Sequence, residues 1–248
     1  MNTTAFSWPE GRRAAFSMTF DDGRRTQLDN GISILNRYGV KATFYPMPEA
    51  LESDPERWRD VAAKGHEIGN HSLRHPCSCN FAWSRANPLE DYSLERMERE
   101  LKEANARIEA VVGTKPVTFA YPCGEQYVGR GEGTLSYVPV VARNFLVGRG
   151  FDQWGLNDPV FCDLAKLHGR DMDRAQLETL QGLLDEACRL GSWLVLAAHE
   201  VAEQGDQAIA PAVLEAFCEH VTKANREVWT DTTATIGRYL RRCRGNNR

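Results

Sequence analysis

Short apolar runs alternate with amphipathic stretches along the chain, and this alternation constrains the fold more than any other feature of the sequence. The apolar runs are rich in β-branched and aromatic residues and predict strands at 14–20, 41–45, 66–70, 117–121, 138–147, 193–198 and 227–230. The amphipathic stretches predict helices at 26–38, 54–64, 88–112, 173–190, 210–224 and 233–242. Such strand-then-helix repetition is typical of an α/β fold built around parallel strands.

Length and composition are those of one globular domain spanning residues 1–248. The chain is 42% hydrophobic and 26% charged, and no repeat, Pro-rich linker or block of like charge divides it. Its 30 Lys and Arg residues against 34 Asp and Glu residues give a net charge of -4. Because this chain has no overall positive field, we expect neither a nucleic-acid partner nor a membrane partner. A symmetric homodimer is the default expectation, on the frequency of that assembly alone.

The N-terminal residues and the cysteines both favour a soluble, cytoplasmic protein. The first thirty residues include Trp8, Pro9 and Glu10 and lack the apolar run of a secretory signal peptide. No later segment approaches the roughly 18 apolar residues that span a bilayer. The 7 cysteines are scattered and odd in number, which favours reduced thiols over a disulfide framework. We expect Cys77 and Cys79 to be loop or packing thiols.

Two adjacent acids, Asp21 and Asp22, follow the first predicted strand and precede Gly23. Active sites of α/β proteins gather at the carboxyl ends of parallel strands. Neighbouring carboxylates repel each other unless a cation holds one of them, and the other is then free to act as a base. Taken alone, an Asp-Asp-Gly turn is also common on protein surfaces.

A second motif places His71 and His75 four residues apart, a spacing that lets two imidazoles share one face of a helical turn and converge on one ion. One Asp and two His make a three-ligand site with positions open for water and substrate. That arrangement is typical of catalytic rather than structural metal sites.

Two further polar segments end predicted strands. Tyr121, Cys123 and Gly124 belong to the segment FAYPCG, where a sharp turn can present amide N–H groups to a developing oxyanion. The segment LAAHE places His199 at the end of a buried strand, from which it can reach the same rim. Each segment alone also fits an ordinary strand-to-loop transition or a structural histidine.

The four segments TFDDG, HSLRHP, FAYPCG and LAAHE, in this order, resemble the polysaccharide deacetylase family, which includes chitooligosaccharide and peptidoglycan deacetylases. The resemblance implies an α/β fold, a distorted (β/α) barrel of about seven strands. It also implies metal-dependent hydrolysis of an N- or O-acetyl group on a carbohydrate. Since the sequence carries no export signal, the expected partner is a small or oligomeric soluble carbohydrate derivative.

The resemblance assigns a role to each matching position. Asp21 would be the general base and His199 the general acid. A divalent metal ion would bind to Asp22, His71 and His75, with zinc as the default and cobalt, nickel, manganese or iron as alternatives. The backbone N–H of Cys123 would complete an oxyanion site. The substrate-binding residues would be Tyr121, Cys123, Gly124 and Trp154.

The third motif departs from the family pattern at two positions. Ala120 stands where the family has an arginine that orients the base, and Cys123 stands where it has an aromatic residue. A backbone oxyanion donor survives the change at Cys123, whereas the arginine contact at Ala120 needs a replacement. Arg143 and Arg149 are the candidates for that replacement.

The family has one more motif, an Asp with a nearby Trp, which lies before the LAAHE segment and is called the fourth motif here. It corresponds loosely to Asp152 and Trp154. The last segment also matches loosely, because Ala197 replaces a larger hydrophobic residue two positions before His199. A wider acyl pocket would suit a metal-dependent amidohydrolase of a small non-sugar amide, formamide or cyclic ureide. A third interpretation is a carbohydrate-binding domain without turnover. The presence of the full set of acidic and imidazole side chains argues against it, namely Asp21, Asp22, His71, His75 and His199.

Overall fold

The structure, a computed structural model, describes residues 6–224 and 226–245. Its strands are β1 (Ala14–Asp22), β2 (Ala42–Pro46), β3 (Glu67–Ile68), β4 (Thr118–Ala120), β5 (Tyr127–Val128), β6 (Leu135–Ser136), β7 (Val147–Arg149), β8 (Arg170–Asp171), β9 (Trp193–Ala198), β10 (Glu200–Val201), β11 (Ala208–Ile209) and β12 (Val228–Thr230). Its α-helices are α1 (Ile32–Tyr38), α2 (Pro48–Ser53), α3 (Pro55–Ala63), α4 (Leu94–Val112), α5 (Val138–Asn144), α6 (Leu177–Leu190), α7 (Pro211–Lys223) and α8 (Thr233–Gly245). A π-helical turn, Gln27–Gly31, leads directly into α1.

The main sheet is parallel, with the strand order β3-β2-β1-β9-β8, and β12 pairs with the beginning of β1. All nine residues of β1 are buried. A strand covered on both faces has a near-continuous apolar sequence, which is why composition predicts a strand at 14–20; the observed strand extends two residues further, to Asp22. The parallel α/β class expected from the sequence is therefore confirmed.

A second parallel pair, β4 with β7, continues the sheet around the molecule. Isolated parallel bridges join Asn70 to Phe119 on one side of this pair and Arg149 to Leu167 on the other. Within the described residues, the continuous ladders do not close a barrel, and these single bridges span the interruptions. The strands therefore curve around one axis and bring their carboxyl ends together.

The largest apolar cluster packs the main sheet against helices α1, α3, α6 and α7. Phe20 of β1 stacks on Phe44 of β2, with ring centroids 5.2 Å apart, and Trp58 of α3 packs edge-on against Phe44. This packing fixes β1 at the centre of the molecule, so that the two acids at its end have a rigid support. Across residues 6–224 and 226–245, no helix has both the length and the apolar character needed to cross a bilayer.

The strand predicted at 138–147 is wrong. Val138–Asn144 form helix α5, and only Val147–Arg149 form a strand. The run of β-branched valines suggested extended backbone, but Pro139 in the first helical turn has a backbone angle suited to a helix start. Val140 and Val141 are then buried against an aromatic cluster that includes Phe119 and Tyr137. Tertiary packing overrides the local strand preference here.

Candidate active site

The polar residues singled out in the sequence lie where parallel strands end. Asp21 and Asp22 are the last residues of β1, His199 follows β9, and Arg149 ends β7. His71 comes three residues after β3. These ends surround a cleft of about 830 Å³, lined by the side chains of both acids and by His71, His75 and His199. The topology therefore gathers residues from distant parts of the chain at one rim, as expected for α/β proteins.

Asp22, His71 and His75 form a compact cluster of potential metal ligands. The Nε2 atoms of His71 and His75 each lie 3.5 Å from Oδ1 of Asp22, and one ligand atom from each residue lies within 4.8 Å of the other two. Oδ1 of Asp22 is buried and has no hydrogen-bond partner. A buried carboxylate oxygen without a donor is unfavourable unless a cation is near. The donor set of one carboxylate and two imidazoles fits a divalent transition metal.

Neighbouring groups fix the orientation of these ligands. Nδ1 of His71 lies 2.9 Å from the carbonyl oxygen of Ala120, so that an N–H donated there leaves Nε2 free to face Asp22. The other carboxylate oxygen of Asp22 accepts from Nε of Arg24 at 3.1 Å. The backbone N–H of His75 donates to Oγ of Ser72 at 2.9 Å. The side chains of Asp22 and His71 are thus each held by a contact outside the cluster, and Ser72 anchors the backbone of His75.

The loop carrying the two histidines is not the helical turn that their spacing suggested. Residues 71–75 are not helical, with a bend only at Leu73 and Arg74, and Ser72 and His75 have positive φ angles of 66° and 49°. Asp22, with φ 69°, and Cys123, with φ 54°, are also in the left-handed region. Such backbone conformations are unfavourable for residues other than glycine and cluster at functional sites.

Burial and neighbouring charges shift the pKa values of two ligands. Burial alone raises the pKa of Asp22, but the neighbouring imidazoles, above all His71, outweigh it and hold the pKa well below its usual range. Burial lowers the pKa of His75 to about 4. At neutral pH the cluster therefore contains an ionised carboxylate and, at His75, a neutral imidazole, the forms that bind metal.

The second acid, Asp21, is paired with a buried arginine. Nη2 of Arg149 donates to Oδ1 of Asp21, and the two side chains are 0% and 3% exposed. Arg149 on β7 is the register partner of Ala120 on β4. The arginine missing from the third motif is therefore supplied by the adjacent strand, at the paired position. Arg143 instead contacts Glu98, with a largely exposed side chain.

His199 is paired with Asp173, a residue that the motif comparison missed. Nδ1 of His199 lies 2.6 Å from Oδ2 of Asp173, and the backbone N–H of His199 donates to Oδ1 at 3.1 Å. Burial alone lowers the pKa of His199, but the hydrogen bond to Asp173 and the charges of Asp21 and Asp22 outweigh it and raise the pKa. Asp173 could have been recognised as a partner of His199 by its position just after β8, the strand next to β9.

Of the two residues expected for the fourth motif, Asp152 and Trp154, only Asp152 lines the cleft, and the carboxylate that contacts His199 belongs to Asp173. Trp154 is 89% exposed and packs against the guanidinium of Arg170, with 5.5 Å between them, outside the cleft lining.

Of the other predicted substrate-binding residues, the structure brings only Cys123 to the cleft lining. Tyr121 is fully buried and donates its hydroxyl hydrogen to the carbonyl oxygen of Ala165 at 2.7 Å. Gly124 has a φ of 72°, and a Cβ there would lie 2.9 Å from the carbonyl oxygen of Phe151. Tyr121 and Gly124 therefore shape the turn without lining the cavity.

Cys77 and Cys123 form a disulfide, so the expectation of reduced thiols is wrong for these two residues. Their Cα atoms are 6.2 Å apart although the residues are separated by 46 positions. Cys77 lies two residues after His75, and the bond therefore ties the loop of a potential metal ligand to the turn of the predicted oxyanion donor. Because disulfides persist mainly in oxidising compartments, the cysteines no longer support a cytoplasmic location. Cys79 is free.

Comparisons with known proteins find similarity to polysaccharide deacetylases. The family model described as polysaccharide deacetylase matches residues 9–130. A peptidoglycan-N-acetylglucosamine deacetylase of Bacillus cereus is 28% identical over 221 residues, which cover 88% of this chain and 71% of that protein. The chain spans only 4% and 27% of the length of two other curated relatives that it matches.

Solved structures share the fold. The peptidoglycan deacetylase PdaC of Bacillus subtilis superposes with a TM-score of 0.60 at 17% identity, covering 97% of this chain and 96% of that one. A family 4 acetyl xylan esterase from Clostridium thermocellum, solved in complex with a cobalt ion, gives a TM-score of 0.58 at 22% identity and covers 90% and 89%. The fold is thus the distorted (β/α) barrel expected from the sequence. Residues 9–130 thus match the polysaccharide deacetylase family model, and the chain is similar to deacetylases of that family in sequence and in fold.

Proposed function

We propose that this chain is a metal-dependent hydrolase that removes an N- or O-acetyl group from a carbohydrate. One observation carries the proposal: a three-ligand cation site, a separately held carboxylate and an imidazole paired with an acid all border the same cleft. Hydrolysis of an amide or ester needs an activated water, a base, a stabilised oxyanion and an acid for the leaving group. The cleft offers one candidate for each role.

The cation site would be formed by Asp22, His71 and His75. A divalent ion bound there would polarise the substrate carbonyl and lower the pKa of a bound water. The unpaired Oδ1 of Asp22 supports this ligand set. Zinc is the default, and cobalt, nickel, manganese and iron suit the same donors. The cobalt complex of the Clostridium thermocellum esterase is in keeping with this range of metals.

Asp21 would accept the proton of the attacking water. Its neighbour Asp22 would be committed to the cation, whereas the contact with Arg149 fixes the Asp21 carboxylate without using it as a ligand. A base must be held within hydrogen-bond reach of the proton that it removes. The backbone N–H of Cys123, which lines the cleft, would donate to the developing oxyanion.

His199 would deliver a proton to the leaving group. Asp173 holds the ring through Nδ1, which leaves Nε2 as the atom that donates. A raised pKa keeps a larger fraction of this imidazole protonated near neutral pH, as the role requires. An amine that leaves after gaining this proton departs as a neutral molecule.

A carbohydrate is the substrate class favoured by the relatives, since the Bacillus cereus protein is a peptidoglycan-N-acetylglucosamine deacetylase. The small-amide alternative depended on a wider pocket at Ala197. Ala197 is fully buried in β9 and lies outside the cleft lining, so that it does not enlarge the cavity. The partner proposed here is accordingly a small or oligomeric carbohydrate.

The test is acetate release from N-acetylglucosamine oligomers. We expect turnover that a chelator abolishes and added zinc restores. Asp21→Asn should lower kcat by roughly 100-fold or more, because the amide cannot accept the proton. Asp91→Asn, a change at an exposed acid outside the cleft lining, is the matched control.

Two results would contradict the proposal. Release of ammonia or formate from small amides, without acetate from any sugar, would reassign the substrate class. Sugar binding without turnover at any supplied metal would indicate a binding domain. Thermal unfolding of Asp21→Asn, with and without zinc, shows whether a loss of activity reflects chemistry rather than misfolding.

A further inference from the structure

We propose that Phe81 and Trp83 form an aromatic wall that binds the apolar face of a pyranose ring of the substrate. This inference rests on the proposed function and names the ligand chemistry on one side of the cleft. Both side chains line the cavity that contains the acids and imidazoles described above. Neither residue belongs to any of the sequence segments that resemble the polysaccharide deacetylase family.

The two side chains of the aromatic wall are far more exposed to solvent than core residues. Phe81 is 47% and Trp83 is 60% exposed. The two rings stack, with centroids 5.6 Å apart and an interplanar angle of 26°. Paired exposed aromatic rings beside a polar cavity leave apolar surface for a ligand to cover.

The segment that carries the wall is held in place by backbone contacts. The N–H of Phe81 donates to the carbonyl oxygen of Ser78 at 3.1 Å, and that of Ser84 donates to Phe81 at 3.0 Å. Oγ of Ser84 both accepts from the N–H of Cys77 at 3.0 Å and donates to its carbonyl oxygen at 2.8 Å. Cys77 is in turn bonded to Cys123. The backbone that carries the rings is therefore fixed before a ligand arrives, and the two rings pack on each other, which reduces the entropy lost on binding.

The wall stands beside the cation site. The ring centroid of Trp83 lies 5.7 Å from that of His75, at an angle of 43°. A ligand ring lying against the indole would therefore be adjacent to a metal ligand, and a substituent on its edge could extend toward the cluster. Arg24, Asn87 and Gln207 also line the cleft and offer hydrogen-bonding groups to the other edges.

A pyranose matches this combination of surfaces. Its ring has faces made of C–H groups and a periphery of hydroxyl and acetamido groups, so that one face can contact an indole while the periphery bonds polar side chains. The cleft of about 830 Å³ falls in the range that holds drug-sized ligands, which a small amide would leave largely unfilled.

The experiment measures binding and turnover separately. N-acetylglucosamine oligomers are titrated calorimetrically into wild type, Trp83→Ala, Trp83→Phe and Trp154→Ala. The control, Trp154, is also an exposed tryptophan but lies outside the cleft lining. We expect Kd and KM to rise about tenfold in Trp83→Ala with kcat nearly unchanged. Trp83→Phe should recover part of the loss, and Trp154→Ala should match wild type.

Fluorescence gives a second measurement. Addition of the oligomer should quench or shift the tryptophan emission of wild type and of Trp154→Ala, and the change should be lost in Trp83→Phe. An equal rise in melting temperature on adding zinc to wild type and to Trp83→Ala shows that the adjacent cation site is intact.

The outcomes separate this inference from the proposed function. Unchanged KM and Kd in Trp83→Ala, with normal acetate release, overturn the wall and leave the function standing. Weakened oligomer binding without acetate release from any variant supports the wall and contradicts the function. A loss of binding confined to a planar cyclic amide, with no effect on sugars, overturns the pyranose assignment.

Discussion

Arg149→Met tests whether the arginine on β7 positions the candidate base. The substitution keeps an unbranched apolar side chain in place but removes the charge that pairs with Asp21. Because the side chains of Arg149 and Asp21 are 0% and 3% exposed, the remaining carboxylate would be buried without a partner. Breaking a buried ion pair from one side costs about 3–5 kcal/mol in the free energy of unfolding. A base displaced by about 1 Å lowers kcat/KM by roughly 100-fold.

Two further variants separate charge pairing from general damage. Asp21→Asn combined with Arg149→Met removes both charges, and we expect the double variant to be more stable than Arg149→Met alone because no buried charge is left unpaired. Ala120→Arg in the Arg149→Met background places an arginine at the register partner on β4, where the resemblance to the family predicts one. We expect this second combination to regain part of the lost activity.

The assays are denaturant unfolding for stability and acetate release for activity. Arg143→Met is the matched control, because its side chain is 59% exposed and should change stability by no more than about 0.5 kcal/mol. If Arg149→Met is as stable and active as this control, Arg149 does not position the base. If the double variant with Asp21→Asn loses as much stability as the two single variants added together, the two charges are not coupled.

Two other predictions concern groups that border the cleft. Asp173→Asn should lower the pKa of His199, because Asp173 is among the groups that raise it, with Asp21 and Asp22. Since the general acid must be protonated, activity is lost as the pH rises through the pKa of His199. The alkaline limb of the kcat/KM profile should therefore move to lower pH in Asp173→Asn. An alkaline limb that does not move contradicts the role of His199 as the acid. Reduction by a small dithiol should expose the two thiols of the Cys77–Cys123 disulfide, lower kcat and destabilise the fold by about 4 kcal/mol, the value for closing a loop of this length. Cys77→Ser should be insensitive to the reductant, and an unchanged thiol count in treated wild type excludes the bond.

Local patterns in the sequence were sufficient for the fold class. The run that forms β1 is recognisable by its continuous apolar composition and the run that forms α4 by its helical periodicity, because burial acts directly on the residues concerned. The same approach failed at Val138–Asn144, where β-branched residues and an early proline point in opposite directions. The aromatic cluster on which Val140 and Val141 pack favours the helix, and most of that cluster comes from other parts of the chain.

The candidate cation site was also accessible from sequence, since His71 and His75 lie within one short motif and Asp22 within another. Their partners were not accessible. Arg149 is 128 residues from Asp21, Asp173 is 26 residues from His199, and Cys123 is 46 residues from Cys77. Which strands become neighbours, and in which register, depends on how the whole sheet curves. Local sequence patterns were enough to identify the residues that could do the chemistry. Only the folded chain shows which side chain pairs with each of them, because this pairing depends on contacts between strands that are far apart in the sequence.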